Sequence, residues 1–345
     1  MVTHDQSHDL FFMRRAMELA GRGRGSVSPN PLVGCVIVYE GNIIGEGWHQ
    51  RYGEPHAEVN AVQSVNDQQL LRSCTLYVTL EPCAHFGKTP PCADMLVRVG
   101  VKRVVISNVD PNPLVAGKGI EKLRAAGIDV SIGLMQREGL VLNCRFFTMI
   151  QKQRPYIILK WAQTADGFMA RENNDSKWIS NIYSRQVTHK WRTEEDAILI
   201  GTHTALHDDP QLTVRDWTGR NPTRVVIDKN MTLPPTLRLF DGTAPTIRYN
   251  RTMGETRTRE TCVKIDENDF IKGVLADLHR RKIQSLIVEG GPITLDGFVS
   301  QGLWDEVRMF VAPIRFGKGL PAPRPVGQST EIDIGSDRLV TMYPG

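Results

Sequence analysis

The sequence contains no run of about 18 consecutive apolar residues, so it predicts no transmembrane helix. Residues 1–9 have neither the basic segment nor the apolar segment of a secretory signal. Six cysteines among 345 residues are too few for the scaffold of a disulfide-rich secreted protein. Together these absences predict a reduced protein of the cytoplasm that has no membrane partner.

Charge is also low and evenly spread along the chain. The formal net charge is +4, and no basic run is long enough to form a nucleic-acid-binding arm. No internal repeat and no low-complexity segment occurs. A hydrophobic fraction of 41% and a charged fraction of 23% are ordinary for a soluble protein, and the length is sufficient for two domains.

The most informative motif combines His56, Glu58, Cys83 and Cys92. An imidazole and two thiols are typical zinc ligands, and three protein ligands leave a fourth coordination position open to water. Zinc-dependent base deaminases carry these residue types in this order, H-x-E followed by P-C-x-x-C, with the glutamate as proton carrier. Here eight residues, instead of two, separate the cysteines. We therefore predict a catalytic zinc site formed by His56, Cys83 and Cys92.

The chemistry of deamination explains why these residue types are needed. Zinc lowers the pKa of its bound water from about 15.7 to about 7. Glu58 can take a proton from that water and pass it to a ring nitrogen and then to the leaving ammonia. His56 and Pro91 each open a predicted helix, so the two helix starts are expected to face one metal. Isolated His and Cys residues are more often ordinary core or surface residues. Here the segments His56-Ala57-Glu58, Pro82-Cys83 and Cys92 occur in the order of the deaminase motif, which argues against that alternative.

Around these cysteines the chain resembles the family of bifunctional riboflavin-biosynthesis proteins, which join a pyrimidine deaminase to a pyrimidine reductase. The resemblance covers nearly the whole chain. It rests on motifs that include Asn30-Pro31, Gly47-Trp48-His49, Thr79-Leu80-Glu81, the loop from Pro82 to Cys92, and Asp110-Pro111-Asn112-Pro113. It implies Zn²⁺ and NADPH as cofactors, a pyrimidine ribosyl phosphate as substrate, and a homodimer formed through the reductase domain.

Two α/β domains are predicted, residues 1–146 and 156–345, with a connector at 147–155 that lacks a regular pattern. Alternating helix and strand patterns argue for a three-layer α/β fold in the first domain. The resemblance implies that this domain is cytidine-deaminase-like, with a mixed five-stranded sheet and zinc at one end. The second domain lacks the G-x-G-x-x-G of a Rossmann fold, and the resemblance implies a dihydrofolate-reductase-like domain.

The predicted elements follow from hydrophobic periodicity and turn residues. Strands are predicted at 33–39, 43–45, 76–80, 103–106, 130–132, 156–162, 197–201, 224–227, 285–288 and 307–312, and helices at 9–20, 56–65, 91–99, 118–126, 181–192, 269–281 and 293–301.

Substrate-binding residues of the first domain are implied by the resemblance. They are Asn30, His49, Lys88, Asp110 and Asn112. The residues alone leave other interpretations open. Asn30 can initiate a turn before a proline, Lys88 can be a solvated surface residue, and His49 can be a structural neighbour. Asp110 and Asn112 follow a predicted strand, where α/β sheets bind ligands, but they can also be turn formers.

In the second domain, the resemblance assigns two groups of residues. Those implied to bind substrate are Ser176, Arg192, Leu212, Arg215 and Glu289, and those implied to bind the cofactor are Ala162, Trp178, Thr204, Asp208, Gly290, Gly291 and Pro292. They lie in motifs that match the family, among them the opening strand that begins at Lys160, the Asp208-Asp209-Pro210 loop and the Glu289-Gly290-Gly291-Pro292 turn.

Simpler interpretations of these residues also exist. Gly290-Gly291 before a helix is a ready phosphate site, but it is also an ordinary strand-to-helix turn. Arg192 and Arg215 can clamp a phosphate or be surface arginines. The aspartate at 208 can belong to an Asx-type turn. Trp178 either packs in the core or borders the cofactor.

The chain departs from the family pattern at a few positions. Ala84 stands where the family often has a second cysteine, so that position supplies no ligand. Asn174 occupies a place often held by Gly, Lys229 replaces a small polar residue, and Ile293 stands where Thr is usual.

The resemblance implies a bifunctional enzyme of riboflavin biosynthesis. Its first domain is expected to deaminate 2,5-diamino-6-ribosylamino-4(3H)-pyrimidinone 5′-phosphate, and its second to reduce the ribosyl group to ribityl with NADPH. One alternative is a nucleic-acid base deaminase with an accessory domain, which predicts a basic, aromatic-lined channel. Another is a non-catalytic binding protein, but a structural zinc site does not need the carboxylate of Glu58.

Overall fold

The computed structural model describes residues 4–84, 90–113, 115–173, 179–256, 260–266 and 268–345, and the chain divides into two compact units, 1–152 and 153–345. This division falls inside the predicted connector, and the exact domain boundaries stay a prediction. Each unit has its own sheet.

The first unit is built on a five-stranded sheet in the order β2-β1-β3-β4-β5. Strand β1 is antiparallel to β2 and β3, whereas β3, β4 and β5 are parallel, so the prediction of a mixed five-stranded sheet is confirmed. The elements are α1 (His4–Gly21), β1 (Gly34–Tyr39), β2 (Asn42–Trp48), α2 (Ala57–Gln63), a 3₁₀ helix (Gln68–Ser73), β3 (Thr75–Leu80), α3 (Cys92–Val99), β4 (Arg103–Asn108), α4 (Lys118–Ala125), β5 (Asp129–Ile132), α5 (Gln136–Leu142) and α6 (Cys144–Gln151).

Helices cover both faces of this sheet, which gives three layers. Successive side chains of a strand point to opposite faces. Cys35 and Ile37 of β1 therefore pack in the core formed with α2, α3 and α4, and Val36 packs in the core formed with α1. The close approach of α1 requires Gly34, because an added Cβ would lie 1.9 Å from the carbonyl oxygen of Ala16. The predicted three-layer fold is confirmed.

The prediction that 147–155 lacks regular structure is wrong for its first part. Helix α6 continues through Gln151, and Phe146 and Phe147 are buried against Leu80. Helices α5 and α6 are each shorter than nine residues. Segments of that length span about two turns, which is too short for a clear helical period.

The second unit contains a ten-stranded sheet in the order β11-β12-β10-β9-β8-β13-β6-β14-β17-β16. The seven strands from β12 to β14 are parallel, and β11, β17 and β16 are antiparallel to their neighbours. The elements are β6 (Tyr156–Thr164), β7 (Phe168–Ala170), α7 (Ile182–Glu194), β8 (Ala197–Gly201), α8 (Thr202–Asp208), β9 (Thr223–Ile227), a 3₁₀ helix (Arg238–Phe240), β10 (Thr246–Asn250), β11 (Glu255–Thr256), β12 (Thr261–Lys264), α9 (Phe270–Arg280), β13 (Ser285–Val288), α10 (Pro292–Val299), β14 (Glu306–Ala312), β15 (Leu320–Pro321), β16 (Gly327–Ile334) and β17 (Asp337–Pro344).

Parallel strands set the position of a ligand site, because their carboxyl ends meet at one edge of the sheet, where α/β proteins bind ligands. Strands β6, β13 and β8 are central and wholly or largely buried, with Ile157, Leu199 and Leu286 in one core. Among the helices of the described ranges, none combines the length and the apolar character that a membrane crossing requires.

Candidate active sites

Three side chains of the first unit converge beyond the carboxyl end of β3. His56 is the N-cap of α2, and Cys92 is the first residue of α3. The Nδ1 atom of His56 lies 3.4 Å from Sγ of Cys92 and 3.6 Å from Sγ of Cys83. The backbone N–H of Cys92 also donates to Sγ of Cys83 at 3.3 Å. Two helix starts and one loop therefore meet at a single point.

The spacing of these atoms fits a zinc ion. Tetrahedral zinc with bonds of about 2.0 Å to nitrogen and about 2.3 Å to sulfur separates the two ligand atoms by about 3.6 Å. The ligand atoms of His56, Cys83 and Cys92 all lie within 4.8 Å of one another. Two sulfurs and one imidazole nitrogen form a donor set that zinc prefers.

Glu58 lies in the first turn of α2 and is only 3% exposed. Burial raises the pKa of this carboxyl to about 7, although the nearby His56 acts in the opposite direction. A carboxyl group that titrates near neutral pH is suited to both accepting and returning a proton.

The two thiols differ in acidity. The hydrogen bond with Cys92 lowers the pKa of Cys83, and His56 adds to this effect, while burial opposes it. The same hydrogen bond and burial raise the pKa of Cys92. Cys83 is therefore the thiol that ionises first, and a bound cation would favour the ionised form of both.

A cavity of about 290 Å³ lies beside this cluster. It is lined by most of the residues predicted from the sequence for the first unit: Asn30, His49, His56, Glu58, Cys83, Asp110 and Asn112. Lys88 is outside the described residues, so its role stays a prediction.

Asn30 and His49 are connected by a hydrogen bond inside this cavity. The Nδ1 atom of His49 lies 3.1 Å from the carbonyl oxygen of Pro55, so it carries the proton, and Nε2 accepts from the Asn30 amide at 3.0 Å. Burial lowers the pKa of His49, which agrees with a neutral ring. The amide nitrogen of Asn30 is thereby fixed.

Asp110 and Asn112 lie on a loop that is anchored by Glu81. The side chain of Asp110 accepts from the backbone N–H of Asn112 at 2.8 Å, so the turn-forming interpretation and the pocket position both apply. The buried carboxylate of Glu81 accepts from four backbone N–H groups, those of Asp110, Gly117, Gly119 and Ile120. The sequence alone predicts no role for Glu81.

A second cleft, of about 330 Å³, opens at the carboxyl edge of the parallel strands in the second unit. Its lining includes eight charged or polar side chains and the glycine turn: Lys160, Ser180, Arg185, His203, Thr204, His207, Asp208, Glu289, Gly290, Gly291 and Pro292. Ala162 of β6 also lines it.

Glu289 is held between two cations at the inner end of this cleft. Arg192 donates to it from Nη2 at 2.9 Å and from Nε at 3.4 Å, and Nζ of Lys160 lies 3.9 Å away. Burial alone would raise the pKa of Glu289, but Arg192 and Lys160 outweigh it and hold the pKa at about 2. Arg192 also donates to the carbonyl of Thr213 and is buried, so it is not a surface arginine.

The glycine turn joins β13 to α10. Gly291 is the N-cap of α10, and its N–H donates to Oγ1 of Thr204 at 2.9 Å. A Cβ at Gly290 would lie 2.6 Å from Cβ of Thr294, so a side chain there is excluded. A bare backbone at the start of a helix, lining a cleft, fits the pyrophosphate of a dinucleotide.

Helix α8 presents one polar face to the same cleft. Thr204 and Asp208 are separated by one turn and both line it, together with His203 and His207, whose ring centroids are 4.1 Å apart. Asp209 ends the helix with a left-handed backbone and accepts from the N–H of Arg238. The turn interpretation thus applies to Asp209, and Asp208 faces the cleft.

Leu212 and Arg215 are outside the lining of this cleft. Leu212 is buried with a φ of 56°, and Arg215 is exposed and donates from its backbone N–H to Nδ1 of His189 at 3.1 Å. Burial lowers the pKa of His189 to about 4, and the charges of Arg192 and Arg215 add to that effect. Ser176 and Trp178 lie outside the described residues.

Lys160 opens a family motif, but no role is predicted for it from that motif. The signal was available, since a lysine inside the apolar strand Tyr156–Thr164 is unusual unless it is paired. Burial lowers the pKa of Lys160, and Glu289 opposes this change. The histidine pair on α8 carried no such signal, because i, i+4 histidines also occur on solvated helices.

Both units are similar to families of known proteins. Residues 6–108 match the cytidine and deoxycytidylate deaminase zinc-binding region, and residues 155–336 match the RibD C-terminal domain. The riboflavin biosynthesis protein RibD of Aquifex aeolicus is 44% identical over 318 residues, which cover 90% of this chain and 89% of that protein. The protein of the same name from Escherichia coli is 40% identical over 329 residues, which cover 90% of this chain and 89% of that protein.

Solved structures agree over the full length. A diaminohydroxyphosphoribosylaminopyrimidine deaminase/5-amino-6-(5-phosphoribosylamino)uracil reductase from Thermotoga maritima is 38% identical, with a TM-score of 0.92, and the match covers 99% of this chain and 100% of that one. The RibD of Acinetobacter baumannii is 35% identical, with a TM-score of 0.88, and the match covers 99% of both chains.

Proposed function

The chain belongs to the RibD family of bifunctional riboflavin-biosynthesis enzymes, and from this premise we propose how its residues carry out the two reactions. It is a zinc-dependent pyrimidine deaminase in its first unit and an NADPH-dependent pyrimidine reductase in its second. The alternative of a nucleic-acid base deaminase with an accessory domain does not account for the second unit. The roles of individual residues below are our proposals.

In the deaminase unit, His56, Cys83 and Cys92 hold zinc, which, when bound, supplies a water that ionises near neutral pH. Glu58 accepts the proton of that water and transfers it to the ring nitrogen next to the amino-bearing carbon. As the water oxygen bonds to that carbon, Glu58 takes the second proton of the water and passes it to the amino group, which leaves as ammonia while the carbon becomes a carbonyl. Its burial supports this role, because a carboxyl with a pKa of about 7 can both take and return the proton.

The pocket walls hold the 2,5-diamino-6-ribosylamino-4(3H)-pyrimidinone 5′-phosphate. Asn30 is fixed by His49, so its amide can read the polar edge of the pyrimidine. Asp110 and Asn112 line the same pocket from their own loop and bind ribose hydroxyls. Lys88 is the predicted phosphate contact on the basis of its charge. His49, with both ring nitrogens engaged by Pro55 and Asn30, acts instead as the structural neighbour that orients Asn30.

In the reductase unit, bound NADPH would supply the hydride that reduces C1′ of the substrate's sugar. Lys160 lies beside Glu289 in the cleft with a pKa lowered by burial. It therefore readily gives a proton to the sugar oxygen that is released when the ring opens. Glu289 orients the sugar hydroxyls, and Arg192 keeps it ionised. Ser176, Leu212 and Arg215 complete the predicted substrate side, with Arg215 as the phosphate contact.

The cofactor side of the cleft is formed by β6, α8 and the glycine turn. Gly290, Gly291 and Pro292 provide the helix start for the pyrophosphate, and Thr204 fixes that turn through its hydroxyl. Asp208 and Ala162 border the nicotinamide end, as does the predicted Trp178. We also propose a homodimer through the reductase domain and a cytoplasmic location, with domain limits at 1–146 and 156–345.

The observation that carries the deaminase assignment is the convergence of His56, Cys83 and Cys92 beside the buried Glu58. Incubation with the diaminopyrimidine phosphate, with and without NADPH, tests both reactions together. Ammonia should be released without NADPH, and NADPH oxidation should begin only after ammonia appears. NADPH oxidation without ammonia release would contradict the order of the reactions. Binding of labelled tRNA at moderate salt would instead support the base-deaminase alternative.

A further inference from the structure

Two histidines of helix α8 lie side by side on the wall of the reductase cleft. The ring centroids of His203 and His207 are 4.1 Å apart, the ring planes meet at 41°, and both residues line the cleft. Positions i and i+4 of a helix lie on one face, one turn apart. Zinc-binding helices of the H-E-x-x-H type use this spacing for two of their ligands. The two residues are named the α8 histidine pair below.

The spacing of the α8 histidine pair suits a single transition-metal ion. Bonds of about 2.0 to 2.1 Å from one ion to a nitrogen of each ring place the two ring centroids about 4 to 5 Å apart. Both residues are exposed, and neither ring forms a hydrogen bond or an ion pair with another described residue. The imidazole nitrogens are therefore accessible to an ion from solvent and are not already engaged by the described part of the protein.

Helix α8 is anchored at both ends, so the pair has a fixed support. The hydroxyl of Thr202 donates to the carbonyl of Ile227 at 2.7 Å, and the side chain of Asp209 accepts from the N–H of Arg238 at 2.7 Å. Ala205, between the two histidines, is fully buried. Two ligands that are held at a suitable spacing before binding lose little conformational freedom when they take up an ion.

We propose that His203 and His207 bind one divalent transition-metal ion and that the bound ion competes with NADPH for the reductase cleft. Imidazole suits Ni²⁺, Cu²⁺ and Zn²⁺, whereas Mg²⁺ prefers oxygen ligands. Within the described residues, no group of three ligands that includes this pair has the close spacing of the deaminase metal ligands. Water would therefore fill the other coordination positions, and the hydrated ion would extend into the cleft.

The competition with NADPH rests on the proposed function. Thr204 follows His203 and Asp208 follows His207 in the chain, and all four residues line one cleft. In the proposed function, Thr204 fixes the turn that binds the pyrophosphate, and Asp208 borders the nicotinamide end. A hydrated ion on the histidine pair would thus take up space that the cofactor needs.

The test is calorimetric titration of the zinc-loaded full chain with NiCl₂ in the absence of cofactor. The wild type should bind one Ni²⁺ per chain with its zinc content unchanged, and MgCl₂ should give no binding. His203→Asn and His207→Asn each remove one of two ligands, so each should weaken Ni²⁺ binding about tenfold or more. His279→Asn is the matched control, because it makes the same change on α9, outside the cleft lining, and should keep the wild-type affinity.

The same proteins are then assayed for NADPH oxidation with deaminated substrate. At a Ni²⁺ concentration about ten times its dissociation constant, competition should raise the apparent KM for NADPH of the wild type about tenfold at unchanged kcat. Each histidine variant is compared with itself without Ni²⁺ and should show a much smaller rise at the same concentration.

The outcomes separate this inference from the proposed function. If the wild type binds no Ni²⁺, or if both variants bind it as tightly as the wild type, the inference is wrong. An unchanged or lower KM for NADPH with Ni²⁺ bound at the pair would also overturn it, because the ion would then not compete. Absence of NADPH oxidation under every condition would contradict the proposed function instead, and the calorimetric comparison would still decide whether the pair binds metal.

Discussion

Nη2 of Arg192 donates to Oε2 of Glu289 at 2.9 Å, although the two residues are 97 positions apart in the chain. Arg192 lies on α7 and Glu289 follows β13, so the ion pair exists only after the parallel sheet has formed. The side chain of Glu289 is 11% exposed and faces the cleft. The ion pair therefore keeps a carboxylate ionised in a largely buried place, where it can orient a substrate.

Glu289→Gln should depress NADPH oxidation about 100-fold, because a misplaced reacting carbon can cost that factor. Asp208→Asn should also reduce it, and ammonia release should stay close to normal in both variants. Loss of the carboxylate leaves Arg192 and Lys160 without their partner, so Glu289→Gln should lower the free energy of unfolding by about 1 to 3 kcal/mol.

Glu331→Gln is the matched control, since its ion pair with Arg338 is about half exposed. It should cost at most about 0.5 kcal/mol and leave both activities unchanged. If both activities fall in a folded Glu289→Gln protein, the division into two independent sites is wrong. Unchanged NADPH oxidation would remove Glu289 from the reductase site.

The zinc motif was accessible from the sequence because its chemistry fixes both residue types and order. His56, Cys83 and Cys92 each stand at or near the start of a helix or loop, and such positions have clear sequence signals. The Arg192–Glu289 pair had no such signal. A contact over 97 positions depends on which strands become neighbours, and periodicity does not encode strand order.

Strand β10 shows why part of the second sheet was not predicted. It is wholly buried, yet it contains Arg248 and Asn250, which read as polar loop residues. Arg248 is tolerated there because it pairs with the buried Asp228, and Asn250 accepts from the backbone of Thr252. The edge strand β16 was missed for the opposite reason, since nearly all of it is exposed and it lacks the alternation of a half-buried strand.

Glu58→Gln should keep zinc and lose deamination by about 10² to 10⁴-fold, because the amide preserves the shape but carries no transferable proton. Zinc is measured by elemental analysis and deamination by ammonia release. Reduction of separately supplied deaminated substrate should persist. Ammonia release near the wild-type rate would remove Glu58 from the proton transfer.

Cys83→Ser and Cys92→Ser should each abolish the single zinc per chain, because zinc strongly prefers a thiolate to a hydroxyl ligand. Cys74→Ser is the matched control. Cys74 is a buried cysteine of the same unit that donates to the carbonyl of Leu70, outside the zinc cluster. About one zinc retained in Cys83→Ser would mean that the metal is held by other residues.

His189 should make the reductase unit less stable in acid. Burial is the largest cause of its low pKa of about 4. The cations Arg192 and Arg215 lower the pKa further, whereas the anions Asp216 and Glu289 raise it. Since the unfolded pKa is about 6.5, the unfolded chain binds more protons between pH 6.5 and 4. Stability therefore rises with pH across this window and is lost as pH falls through it.

His189→Asn should flatten that pH dependence, by about 1 to 3 kcal/mol across the window, because asparagine can accept the backbone N–H of Arg215 and takes no proton. Five of the six tryptophans belong to the second unit, so urea unfolding followed by tryptophan fluorescence reports mainly on it. Equal slopes in the two proteins would show that His189 does not cause the loss of stability.

Glu81 should act on deamination by positioning the loop that carries Asp110 and Asn112. Its carboxylate accepts from the backbone N–H groups of Gly117 and Gly119 at 3.0 and 2.9 Å, and the start of α4 packs so closely that a Cβ at Gly119 would lie 2.0 Å from the carbonyl of Pro82. Glu81→Ala leaves four N–H donors without this acceptor, whereas Glu81→Gln keeps one oxygen.

We expect the deaminase KM to rise about tenfold or more in Glu81→Ala and less in Glu81→Gln, with a smaller change in kcat. Zinc content and NADPH oxidation should be retained, because the metal ligands and the lining of the reductase cleft are residues outside the 110–120 loop. A general loss of structure would lower zinc content and kcat together, so the KM-against-kcat comparison distinguishes positioning from simple unfolding. Glu81 itself lies on the pocket wall. A fall in kcat at unchanged KM, with zinc retained, would therefore contradict a positioning role and assign Glu81 to the chemical step.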